Sequence, residues 1–504
     1  MAPVLSAARL PAAIWLVLCV ANVAQASRGP SPASPGDANR GASPAPLVAG
    51  PSGPNPARMR DATGGTSPAP LAATSGGPGA GRLVESYVAV PMPPGFQVEN
   101  SELDGAVFAD SHGKTLYMWP FKGLRSGVTG ESKGSIACTD AVSTETAGLM
   151  SPYPRGLVLP DLTQRASCAK RWPPVLAADD AKPIGKWTLL VRKDGKKQWA
   201  YDEQALYTCD LDREPGDVLG GSTRKNFEDA PAIRVPVGPP PNVPPGFEVV
   251  TTAAGRLLVT AKNYSVYASD NDPADNSSCG AECARTWAPV LAPQTAQSHG
   301  DWSTVQRSPG VKQWVFRHKP LYTYELDSGP LGLQGSDVPG WHNVYTQPIP
   351  APPEGFTVQD TIVGQVLADP RGRTLYTYVC DDDSVDQLGC DHPSEIQLYR
   401  IAMCGGGHAE RCLTNWPYVA AAPDAKSTSH VWSVIDLDPN TGRRVASGQS
   451  GAVRVWAFRD RPVYTYALDL HPGDVSGDAT GEWRGQRNGL KAFFLRDDFF
   501  EITQ

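Results

Sequence analysis

The sequence has no long apolar run. Its most hydrophobic stretch, Ile14 to Val20, falls well short of the roughly 20 residues that a helix needs to cross a bilayer. It also lacks helical periodicity beyond a turn or two, which excludes a helical bundle. No stripe of Lys and Arg is interleaved with aromatics, and the formal charge is −7 over 504 residues, so nucleic acid is not an expected partner. Enzyme signatures are missing too: there is no phosphate loop, HExxH helix or dinucleotide fingerprint. Gly448-Gln449-Ser450-Gly451 lacks the spacing of a nucleophile elbow.

What is present begins with a secretory signal over 1–26. Arg9 supplies positive charge, Ile14 to Val20 the apolar core, and Ala24-Gln25-Ala26 the small-x-small cleavage site. Cys19 follows Leu18, where a lipoprotein signal wants a small residue, so a lipid anchor is not expected. The expected location is extracytoplasmic: periplasm, cell envelope or medium. Residues 27–85 are Pro, Gly, Ala and Ser with almost no aromatics. Such a segment cannot bury enough apolar surface to offset its ordering entropy and reads as a disordered tether.

Three Pro-rich openers follow, at Pro93-Pro94-Gly95-Phe96, Pro244-Pro245-Gly246-Phe247 and Pro352-Pro353-Glu354-Gly355-Phe356. Behind them the chain repeats. Trp287, Trp302, Trp314 and Tyr322 each stand 115 residues after Trp172, Trp187, Trp199 and Tyr207 (287 − 172, 322 − 207). Trp416, Trp432 and Trp456 are the third set, and nine of the thirteen Trp therefore occupy landmark positions, which points to a core role. The expected units are 86–238, 239–348 and 349–504. The third is longer, with insertions at Cys380 to His408 and around Asp438 to Ser450, both expected on surface loops.

Each unit is organised around the pattern Tyr-x-aromatic-x-x-Asp: Tyr322, Tyr324, Asp327; Tyr376, Tyr378, Asp381; and Tyr464, Tyr466, Asp469. Degraded copies are Tyr207, Cys209, Asp212; Tyr267, Ser269, Asp272; and Tyr117, Trp119 with Lys122 in the Asp place. Alternation along an extended chain puts Tyr322, Tyr324 and Leu326 on one face of a strand and Leu321, Thr323 and Glu325 on the other. The Asp then ends the strand by capping a turn. Short strands at regular spacing, Val463 to Leu468 among them, predict an all-β chain: three tandem antiparallel units that are sandwich-, barrel- or propeller-blade-like.

Ten cysteines fit an oxidising compartment. Cys168, Cys283 and Cys412 each precede a landmark Trp by four residues, with Cys138, Cys279 and Cys404 as earlier partners, one staple per unit. Cys380 and Cys390 offer a second in unit 3, where four Cys allow three connectivities. Cys209 is left over, in the place of Tyr324 and Tyr466, as a small core filler; the alternative is a redox thiol or an intermolecular bridge.

Tyr-x-aromatic-x-x-Asp together with Cys-x3-Trp-x-Pro resembles the bacterial family called the secreted repeat of unknown function, whose members are often predicted lipoproteins. The resemblance runs from about Gly95 to the C-terminus and is carried best by Tyr322, Tyr324, Asp327, Cys279, Cys283, Trp287, Tyr376, Tyr378 and Asp381. It implies an extracytoplasmic protein and brings no activity, cofactor or catalytic residue with it. The chain departs from the pattern at Lys122, Cys209 and Ser269.

Three constellations invite chemistry. Cys390, His392, Cys404, His408 and Cys412 include ligands suited to zinc or copper, though in an oxidising compartment the same cysteines favour disulfides. Asp381-Asp382-Asp383 with Asp386, and Asp270, Asp272 and Asp275, read as solvated acidic turns; Asp436 to Asn440 opens like a calcium loop, but Thr441 and Ser447 stand where Gly and Glu are required. The pairs Asp212/Asp217, Asp327/Asp337 and Asp469/Asp474 have a glycosidase look, yet they recur in all three units, as turn caps would. The expectation is a non-catalytic binding module for an envelope or extracellular protein or glycan, without cofactor. The alternative is a redox or metal-handling protein that uses the unit 3 Cys/His insertion or Cys209.

Overall fold

Glycine-cornered hairpins open the three units. Gln97–Ser101 pairs with Gly105–Ala109, Phe247–Thr252 with Gly255–Thr260, and Thr357–Thr361 with Gly364–Ala368, all antiparallel. At each corner a Gly with positive φ (Gly105 74°, Gly255 128°, Gly364 138°) sits opposite the last residue of the first strand. A side chain is strained there, and the glycine fixes the register. The computed structural model describes residues 83–124, 127–140, 166–221, 234–361, 364–379, 392–427, 429–478 and 489–497.

A second hairpin carries two landmark Trp per unit: Trp187–Val191 with Lys197–Tyr201, Trp302–Ser308 with Val311–Phe316, and Trp432–Leu437 with Val453–Phe458. The chain then reverses through Asp202-Glu203, Arg317-His318 or Arg459-Asp460. Both residues of each pair have positive φ, between 46° and 68°. That is the type I′ geometry, whose twist matches the strands on either side, and here it is built without glycine.

The turn delivers the motif strand, and the two motif copies of a unit meet edge to edge. Tyr117 lies opposite Tyr207, Tyr267 opposite Tyr322, and Tyr376 opposite Tyr464. Each pair divides its unit into two cores. On one side a Trp pair packs with Phe: Phe108, Trp187 and Trp199; Phe247, Trp302 and Trp314; Trp432, Trp456, Phe458 and Phe493. On the other lie the tyrosines, the remaining Trp and the cysteines: Tyr117, Trp172, Tyr207; Tyr267, Trp287, Tyr322; Tyr376, Trp416, Tyr464. The chain is all-β, with short antiparallel sheets throughout.

Alternation on the motif strand puts Leu321 and Tyr322, both fully buried, in different cores, because the strand runs between them. Three expectations need correction. The far end of the motif strand is not strand. Tyr322–Tyr324 and Arg461–Tyr464 stop early, and Leu326 and Leu468 are 68% and 64% exposed. The unit 3 insertion is no surface loop where it is described. It contains α1 (Leu398–Gly405), α2 (Ala409–Asn415) follows directly, and the two helices bury Arg400, Ile401, Cys404 and Cys412. Gly406, at φ 60°, closes α1 and lets the chain reverse into α2. Finally Glu85, the last residue of the expected tether, is buried and paired with Arg256 at 2.8 Å. The signal, the tether up to residue 82, Cys380, Asp381 and Cys390 lie outside the described residues.

Candidate functional site

The recurrent residues form a crossed exchange. In unit 2, Tyr267 Oη donates to the Asp327 carboxylate (3.0 Å to either oxygen), and Tyr322 Oη donates to Asp272 Oδ2 at 2.6 Å. Each tyrosine thus reaches the acid that ends the other motif copy, as antiparallel pairing of two like strands dictates. Unit 1 repeats the first half, from Tyr117 Oη to Asp212 Oδ2 at 2.9 Å. Its second half is re-sourced: position 122 holds Lys, and Tyr207 donates instead to Glu131 Oε1 at 2.5 Å. In unit 3, Tyr376 Oη donates to Asp469 Oδ2 at 2.6 Å.

The acids also cap turns. Asp212 accepts the Leu219 N–H (2.9 Å), Asp327 the Gly335 N–H (3.4 Å) and Asp469 the Ser476 N–H (3.0 Å). Asp217 accepts from the Arg213 and Glu214 N–H groups, and Asp474 from those of Leu470 and His471. Five of the six carboxylates that resembled glycosidase pairs therefore hold loops. Burial raises the Asp212 carboxyl to about 8, with the Asp217 charge adding to the effect, and raises Asp469, whereas the His471 N–H lowers Asp474. Burial, then the partner acid, lifts Tyr322 to about 12 and raises Tyr267 and Tyr376.

Around each exchange stands a Trp over a glycine. A Cβ on Gly220, Gly335 or Gly477 would come within 2.6, 3.0 or 2.4 Å of Cη2 of Trp172, Trp287 or Trp416. The remaining space is filled differently each time. In unit 1, Arg234 inserts between Trp119, Trp172 and Tyr207, its Cζ 4.5, 4.6 and 5.3 Å from the ring centroids, and donates to Cys168 Sγ at 3.2 Å. Burial lowers this guanidinium to about 10. In unit 3, Arg400 lies over Tyr418 and Tyr464 and donates to Cys412 Sγ at 3.0 Å. In unit 2, where Ser269 replaces the aromatic, Trp341 stacks on Trp287 at 3.7 Å and fills the gap.

Disulfides join Cys138 to Cys168, Cys279 to Cys283, and Cys404 to Cys412. Cys209 is a buried free thiol beside Gly220, where unit 3 has Tyr466 beside Gly477. The described metal candidates do not converge. Cys404 and Cys412 are bonded to each other, His392 turns to Asp210, and His408 is exposed at the start of α2. Asp270, Asp272 and Asp275 engage His342, Tyr322 and His318 separately. Among the described residues no group of three His, Cys, Asp or Glu side chains is placed to hold a metal, and no helix is long and apolar enough to cross a membrane.

Sequence reasoning missed the junction between units. The corner at Ser101 to Asp104 is where they meet. Gln347 of unit 2 donates to the Ser101 and Glu102 carbonyls (2.6 and 3.0 Å), and Leu103 packs among Val431, Trp432 and Phe458 of unit 3. Asp104 pairs with Arg459 at 2.9 Å, both buried. The type I′ turn of unit 3 clamps unit 1: Arg459 and Arg461 donate to the Val218 and Leu219 carbonyls, and Asp460 receives Arg213 at 2.7 Å. The signal was legible as Arg459-Asp460-Arg461, standing where the other units have Asp202-Glu203-Gln204 and Arg317-His318-Lys319. Compared with protein-family models, curated proteins and solved structures, the chain matches none.

Proposed function

We propose that the chain is a non-catalytic extracytoplasmic binding module, built from three divergent copies of one β repeat and carried on a tether. The reading rests on one observation above the others. The motif hydroxyls are buried and bonded to carboxylates inside each unit, Tyr117–Asp212, Tyr267–Asp327 and Tyr376–Asp469 alike, with Asp212 and Asp469 buried and Asp327 half-buried. Residues that recur for framework reasons leave the function to surfaces that differ between units. Clamped units present those surfaces in fixed relation, which suits recognition of an extended envelope protein or glycan. The bonded cysteines support an oxidising location, and the resemblance to the secreted repeat of unknown function supports the same address.

The test is capture from native envelope fractions with the mature protein, alongside a broad turnover screen. The expected result is a reproducible protein or glycan partner and no turnover. A turnover abolished by a single substitution at a surface residue overturns the proposal, as does the absence of any specific partner.

A further inference from the structure

The turn before α1 carries His392, buried at the seam between unit 3 and unit 1. Its Nδ1 accepts the Ser394 N–H at 3.1 Å, so that nitrogen carries no proton. Nε2 holds the single ring proton and donates it to Asp210 Oδ1 at 3.1 Å. Asp210 Oδ2 receives Arg171 Nη1 at 2.8 Å, and Arg171 Nη2 reaches Glu395, three residues beyond the histidine. His392 and Glu395 lie in unit 3, Asp210 and Arg171 in unit 1. The four side chains form a closed clasp across the seam, and Arg461 of the strand Arg461–Tyr464 is the further charge that acts on the imidazole.

We propose that this clasp is a proton-sensitive latch, in which protonation of His392 releases the α1–α2 hairpin of unit 3 from unit 1. A second proton has only Nδ1 to occupy, where the Ser394 N–H already points at the lone pair, so the imidazolium must give up that bond. It also places a cation beside Arg171 and Arg461 with little water to screen it. Burial, joined by those two guanidiniums, outweighs the pull of Asp210 and holds the imidazole below its ordinary 6.5. The opened form takes a proton near 6.5 and the closed form only at lower pH. The latch is therefore at full strength above about 6.5 and weakens as pH falls below that value. The other seam histidine, His430, faces Asp217 and Glu214 from a more open position and stands outside the clasp.

Hydrogen exchange on the mature protein at pH 7.5 and 5.0, corrected for intrinsic rates, tests this. Protection in residues 394–415 should fall by up to about 30-fold at pH 5.0, the limit set by an opened-state value of 6.5. His392→Gln keeps a donor for Asp210 but cannot take the proton, and its corrected protection should not change. A wild-type profile as flat as the variant's, or an equal fall in both, overturns the latch. Should the variant fail to fold, an NMR titration of the wild-type His392 ring decides: a midpoint below 6.5 supports the proposal, and one at or above it sinks the idea.

Discussion

Tyr267→Phe removes one oxygen and leaves the ring in place, so it isolates the crossed exchange. The hydroxyl lies 3.0 Å from both Asp327 oxygens and 3.1 Å from the Gly332 carbonyl. A hydrogen bond to a carboxylate contributes about 1.5–3 kcal/mol, more than a neutral one, because the acceptor is charged and burial excludes competing water. The expected loss is about 2 kcal/mol. Melting temperature is a poor readout, since a cooperative body this large moves only a few degrees or less per kcal/mol. Urea titration with hydrogen exchange at Tyr267–Ser269 and Trp341–Asn343, which pair directly, resolves it. A cycle with Asp327→Asn should return a coupling of about 1–2 kcal/mol. Tyr324→Phe is the control: that ring is half-buried on Trp287 at 4.4 Å and should cost under about 0.5 kcal/mol. A Tyr267→Phe loss within about 0.5 kcal/mol of zero, or a coupling that small, would refute the claim that the motif is framework.

Gly477→Ala places a methyl 2.4 Å from Trp416 Cη2, on a ring with nowhere to move, and should cost about 2 kcal/mol or more in urea unfolding. Gly280→Ala meets nothing within 4 Å and should be nearly silent in the same assay. Asp212 stays protonated in the fold up to about 8 but ionises near 3.8 when unfolded, so the stability it supports falls as pH rises from 4 to 8. Asp212→Asn should flatten that slope in urea titrations run across the range, and a variant as pH-dependent as wild type contradicts the assignment. Arg459→Ala strands buried Asp104 and the Val218 carbonyl, and should cost about 3–5 kcal/mol while raising the radius of gyration in X-ray scattering as unit 3 separates from unit 1.

Strand type and staples were readable from the residues alone. Tyr-x-aromatic alternation specifies a strand whatever packs on it, and each Cys four residues before a landmark Trp bonds to the Cys that precedes it in sequence, over separations of 30, 4 and 8 residues. What the chain order could not supply was pairing across distance. That Tyr267 bonds Asp327 rather than Asp272 depends on two strands 55 residues apart (322 − 267) lying antiparallel. That Glu131 replaces the missing acid at position 122, and that Arg234 and Trp341 fill equivalent gaps, depends on which side chains happen to share a cavity. Leu321 and Leu326 make the same point. Both are leucines of one stretch, yet one is sealed and the other faces water, because a neighbouring core covers only the first. Local sequence determines what each segment can be; contact between distant segments decides which carboxylates are neutral, which turn becomes a clamp, and which histidine is left without room for a proton.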